Sequence, residues 1–150
     1  MFRLVTCFFS VLFMVAIAGC SPKGLRVEYV EGIVTLDGDP VSEATVTFLP
    51  KVETPPMEMA TGTTDANGAY KLSSVTGKAT SGAVAGEYKV LVTKSTVDAG
   101  AGEVEYGAVR PLAKYTHLLP APYRDPQKTP ITVTVKKGKN TIPLELTKNP

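Results

Sequence analysis

From residue 26 onward, apolar residues recur at every second position in short runs, and glycine, proline, aspartate and asparagine bound those runs. No stretch carries apolar residues at the three-and-four spacing of an amphipathic helix, so the pattern predicts an all-β domain. A first strand is expected over 26–36, with Val30, Val34 and Leu36 on one face. Val27 and Tyr29 fall out of that phase, which predicts a bulge near Glu31-Gly32. After the turn residues Asp37-Gly38-Asp39-Pro40, a second strand over 44–49 faces Ala44, Val46 and Phe48 one way, and Pro50 stops it. A third strand over 57–64 runs into Thr64-Asp65-Ala66-Asn67-Gly68, a hairpin turn with Asp65 as its cap, and returns over 69–72 with Tyr70 and Leu72 inward. Residues 73–85 are small and polar and read as a loop. Residues 86–93 predict a strand at the centre of a sheet, with Tyr88, Val90 and Val92 on one face.

The connection 94–130 has little periodicity, and that length inside a compact domain marks function or mobility. Its second part sets Tyr115, Leu118, Leu119 and Tyr123 among prolines, an extended segment expected to lie against the domain. A last hairpin follows: Ile131, Val133 and Val135, a basic turn over 136–140, then Ile142, Leu144 and Leu146. Pro143 cannot donate to a ladder, so the final strand is expected at a sheet edge, with lysines discouraging aggregation there. The total of seven strands predicts an antiparallel two-sheet sandwich.

Ahead of this domain the pattern changes. Arg3 precedes an uncharged, mostly apolar run from residue 4, and the small residues Ala18 and Gly19 come just before Cys20. That is the layout of a secretory signal peptide, and the run is shorter than the roughly 20 residues that span a bilayer. Ile17-Ala18-Gly19-Cys20 resembles a bacterial lipobox. The resemblance implies cleavage after Gly19, acyl chains at the Cys20 thiol such as palmitate, and an extracytoplasmic lipoprotein of the cell envelope. Ser21 would favour the outer membrane in a didermal host. The expected organisation is a signal peptide over 1–19, a lipidated tether over 20–25 and one domain over 26–148.

Composition narrows the classes of partner. Without its first 19 residues the chain has 131, enough for one core, with 15 basic against 14 acidic side chains. So even a balance offers nothing to nucleic acid. Cys7 leaves with the signal and Cys20 takes the lipid, so no disulfide staples the domain.

Several of these runs together resemble the carboxypeptidase regulatory-like domain: Gly32-Ile33-Val34-Thr35-Leu36-Asp37-Gly38, Ala44-Thr45-Val46-Thr47-Phe48, Thr64 to Tyr70 and Gly86-Glu87-Tyr88-Lys89-Val90. Leu119-Pro120, Tyr123, Asp125-Pro126 and Val135 to Asn140 are similar to the ending of small bacterial lipoproteins built from that domain. The resemblance implies a transthyretin-like, immunoglobulin-like sandwich serving as an accessory module that docks on an envelope protein.

Catalytic chemistry finds no support in the residues. The ring-opening hydrolases related to transthyretin use several histidines and a Tyr-Arg-Gly-Ser tail, whereas this chain has His117 alone and ends Thr147-Lys148-Asn149-Pro150. It has neither a Gly-x-Ser-x-Gly elbow nor a His-Glu-x-x-His pair. Asp65-Ala66-Asn67-Gly68 is turn chemistry and not a calcium loop, because Thr76 stands where the bidentate acid belongs. No cofactor, metal or small-molecule ligand is expected, and no enzymatic activity. Candidate partner contacts are Tyr106, Arg110, Tyr115, His117 and Tyr123, with Arg124 beside them. Their aromatic faces could hold a partner's apolar surface or, alternatively, a polysaccharide.

Overall fold

The computed structural model describes residues 26–52, 57–75, 81–98 and 114–150. They form β1 (Val27–Glu28), β2 (Val30–Leu36), β3 (Asp39–Pro40), β4 (Thr45–Pro50), β5 (Ala60–Thr63), β6 (Ala69–Lys71), β7 (Ser73–Ser74), β8 (Ala83–Val84), β9 (Gly86–Thr93), β10 (Ser95–Asp98), β11 (Lys114–His117), one 3-10 turn (Ala121–Arg124), β12 (Thr132–Val135), β13 (Asn140–Thr141) and β14 (Leu144–Leu146). The class is all-β. Cys20, Tyr106 and Arg110 lie outside the described residues, as do the signal peptide and tether.

One large sheet runs in the order β12-β9-β4-β5-β7, antiparallel throughout. A second is built around β2, which pairs with β3 and β6 antiparallel and with β13 and β14 in parallel. Two small ribbons, β1–β8 and β10–β11, complete the pairing among the described residues. The alternating residues do what their pattern demands. Val46, Phe48, Tyr88, Val90 and Val92 from the first sheet are fully buried, and they share one core with Val30, Val34, Tyr70, Leu144 and Leu146 from the second. Phe48 joins the two, its ring 6.4 Å from that of Tyr70 and 5.7 Å from that of Tyr88. The expected central strand over 86–93 is β9, flanked by β4 and β12.

Four expectations are corrected. The phase of the first strand needs no bulge: Glu28, Val30, Gly32 and Val34 alternate inward without interruption, and the break lies at Tyr29, between β1 and β2. An inward glutamate and an inward glycine hid that phase. Glu28 is tolerated there because its carboxylate accepts the Gly138 N–H at 2.7 Å and meets Arg26 Nε at 3.2 Å.

The turn over 64–68 has the chemistry predicted for it, with Asp65 Oδ1 accepting the N–H groups of Asn67 and Ala69 at 2.8 and 2.9 Å, and Gly68 at φ 75°. It does not close a hairpin, however. β5 and β6 diverge into different sheets, because Thr64 bonds back to Ala44 in the first sheet while Gly68 accepts Val34 N–H in the second.

The basic turn over 136–140 likewise passes from one sheet to the other, so β12 and β14 are not hairpin partners and the molecule is not antiparallel throughout. A strand that changes sheets is free of the reversal a hairpin imposes, and β13 and β14 therefore meet β2 in parallel. Pro143 lies in the gap between them, and β2 is their one neighbour among the described residues, as expected of an edge. Finally, the loop expected over 73–85 contains β7 and β8, whose Ala83 and Val84 are buried despite their small size.

Candidate interaction surface

The strand directions give the domain two distinct ends. β2 starts beside Asn140 and finishes beside Leu146, while β9 starts beside Val135 and finishes beside Thr45. Arg26, the head of β1 and the 136–140 turn therefore share one end, the end where the described residues begin. Leu36, Thr93 and the residues that follow them share the other, about 30 Å away along ten extended residues.

At that far end the chain leaves β9 and forms the β10–β11 ribbon, with Val97 directly opposite Tyr115 and Ser95 opposite His117. Directly opposed residues point to the same face, so Val97 and Tyr115 form a cross-strand apolar pair. That pair is exposed, at 52% for Val97 and 63% for Tyr115. The ribbon closes at its base where Leu118 N–H bonds the Lys94 carbonyl at 2.9 Å. There Leu118, itself exposed, joins Leu36, Val41 and Leu119 around a depression of about 280 Å³, with Lys94 and Lys148 at its rim. Lys148 is held by Asp37 at 3.3 Å. The exposed ribbon pair and a concavity edged by charge thus lie at the same end of the domain, separated on the ribbon face by Ser95 and His117, and together they have the composition of a protein-binding patch.

A wider depression, about 450 Å³, lies over β2 and β6 and includes Glu31, Ile33 and Lys71. Its Glu31 is engaged internally. Glu31 accepts from Lys139 Nζ and from the Tyr29 hydroxyl, both at 2.8 Å, and Lys139 sits 5.7 Å over the Tyr29 ring. The bond to Lys139, then the one to Tyr29, lowers the Glu31 carboxyl below its ordinary value, and the same pair raises Lys139.

The structure separates the candidate residues that the sequence grouped. Tyr115 and His117 are exposed on β11, Arg124 is exposed at the end of the 3-10 turn, and Tyr123 is 3% exposed. The Tyr123 hydroxyl accepts Thr147 N–H at 2.9 Å, which makes it an anchor pinning the connection to the chain's end. Tyr115 was expected to lie against the domain and instead stands off it. His117 has no hydrogen-bonding partner among the described residues, so nothing orients its imidazole as a base. Asp65 spends its oxygen on backbone N–H groups, and no cluster of three metal-ligating side chains occurs among the described residues. Val97 was missed by the sequence reading. Its signal was a Ser-Thr-Val-Asp run too short and polar to register as a strand.

No family model and no curated protein matches the chain. Among solved structures it is similar to the crystal structure of a 9R-lipoxygenase from Cyanothece PCC8801, at 14% identity and a TM-score of 0.41. The similarity covers 81% of this chain and 16% of that one. A likeness of that depth carries no inference about activity.

Proposed function

We propose that this is a lipid-anchored, extracytoplasmic sandwich of the carboxypeptidase regulatory-like, transthyretin-like kind, acting without catalysis as an accessory module that binds an envelope protein. The observation that carries the reading is the exposed Val97–Tyr115 pair, at the same end of the domain as Leu118 and its apolar depression and opposite the end where β1 begins. An anchor at Cys20 would leave that end directed outward, where a partner can reach it. A polysaccharide platform would need Tyr115 and Tyr123 exposed together, and the burial of Tyr123 counts against it.

A photoreactive phenylalanine analogue placed at Tyr115 in the full chain, expressed in its own host, tests the contact. We expect a discrete cross-link to an envelope protein from position 115 and none from Ile33, with mass spectrometry finding an acylated cysteine at the mature N-terminus. Cross-linking from Ile33 instead of Tyr115 overturns the choice of surface, and an unmodified Cys20 overturns the anchor.

A further inference from the structure

The end where β1 begins, to which the proposed tether would attach, carries basic side chains beyond those its ion pairs use. The 136–140 turn projects Lys136, Lys137 and Lys139, all exposed, and Arg26 is the first described residue beside it. Gly138 N–H on the Glu28 carboxylate and Asn140 N–H on the Tyr29 carbonyl hold the turn against β1, where the tether enters. The acidic groups of this end are already engaged: Glu28 by Arg26, Glu31 by Lys139, Glu87 by Lys51 and Glu58 by the Ser74 hydroxyl. Lys136 and Lys137 have no ion-pair partner among the described residues and remain as uncompensated charge. From Arg26 back to Cys20 is six residues, a reach of about 20 Å even when fully extended. So short a tether would keep two free ammonium groups near enough to come within a Debye length of the leaflet, where anionic lipid attracts them.

We infer that the Lys136–Lys137 turn is a docking surface for the anionic phospholipid headgroups of the membrane that holds Cys20. The inference rests on the lipid anchor proposed above and adds an orientation to it. Contact at the turn lays the tether end on the bilayer and directs the Val97–Tyr115 ribbon away from it. Lysine suits this task, being a strongly hydrated point charge that gains from headgroup phosphate without giving up its solvent.

The test uses the purified full-length lipoprotein reconstituted on phosphatidylcholine vesicles, with or without phosphatidylglycerol, followed by flotation and amine-reactive labelling read lysine by lysine. Flotation on pure phosphatidylcholine reports the anchor alone, and its absence overturns the anchor and this inference together. With the anchor in place, we expect labelling of Lys136 and Lys137 to fall roughly tenfold when phosphatidylglycerol is present, and to recover at high salt. Lys148, at the far end, should label equally on both vesicles. The Lys136→Glu, Lys137→Glu double variant should still float, but Lys139 should lose any phosphatidylglycerol-dependent protection. Equal labelling of Lys136 and Lys137 on the two vesicle types, with flotation intact, overturns the inference and leaves the anchor standing.

Discussion

Gly32 shows how one missing side chain sets an interface between strands. It faces the core from β2, where a Cβ would overlap the Ile142 carbonyl and lie 2.8 Å from the Tyr70 ring. That ring is itself pinned, its hydroxyl donating to the same Ile142 carbonyl at 2.8 Å. Gly32→Ala must therefore displace backbone, and we expect a loss of about 3 kcal/mol in the urea-unfolding free energy. Gly38, at φ 95° with open space around it, should lose only about 1 kcal/mol on the same change. Equal losses at the two sites would mean that close approach to Ile142 is not what selects glycine.

The buried phenols make a second prediction at this scale. Burial, with the Glu58 charge adding to it, pushes the Tyr88 hydroxyl up to about 12. Burial raises Tyr70 further. In the unfolded chain both ionise near their ordinary value of 10, so between 10 and 12 the unfolded state loses protons that the folded state keeps. Stability should be fully present below about pH 10 and fall as pH rises toward 12. Tyr88→Phe removes one of the groups responsible, and its urea midpoint should decline less steeply over that interval than that of the unaltered protein.

Among the elements, the 136–140 turn has the most consequence, because it carries the chain between sheets and so decides the parallel pairing of β13 and β14. Asn140 organises it, accepting Lys136 N–H at 2.9 Å and donating to the carbonyls of Lys136 and Gly138 at 2.8 and 3.1 Å. Its removal leaves part-buried backbone groups without their partner, and we expect Asn140→Ala to cost about 2 kcal/mol. Asn140→Asp should not rescue it, since a carboxylate cannot donate to those carbonyls. Full recovery with aspartate would show that only the Lys136 N–H bond matters. The β10–β11 ribbon is the opposite kind of element, because its exposed face contributes nothing to the core. Val97→Ser should shift the unfolding free energy by no more than about 0.5 kcal/mol while weakening the cross-link from the photoreactive residue at position 115.

Across the whole molecule, the two large sheets share a single apolar interior, with Phe48 touching tyrosines from both. Neither sheet buries its inward face without the other. We therefore expect one cooperative transition, with circular dichroism and tyrosine fluorescence coinciding along a urea titration. Two resolved midpoints would mean that the sheets unfold separately. The same architecture separates two surfaces by the length of β2: basic charge beside the start of β1, exposed apolar side chains at the other end.

How much of this was legible in the chain depended on the range of the forces involved. Alternation of apolar residues is a local property, and it identified β4, β9 and β12 with their inward faces, because period two follows from the pleat whatever the partner strand. Turn chemistry is local too, so Asp65 and Gly68 announced their turn, and Pro143 announced its edge. Which strands pair is not local. The turns at 64–68 and 136–140 look like hairpins because the bonds that send their strands to different sheets come from Ala44, Val34 and Glu28, residues remote in sequence. Glu28 and Gly32 escaped recognition as inward positions for the same reason: what makes a carboxylate or a bare backbone acceptable there is the Gly138 N–H or the Ile142 carbonyl. The fate of the tyrosines was likewise tertiary. Tyr115 and Tyr123 look equivalent along the chain, and only the presence of Thr147 N–H and a place in the core made Tyr123 an anchor, leaving Tyr115 on a ribbon with solvent on its face.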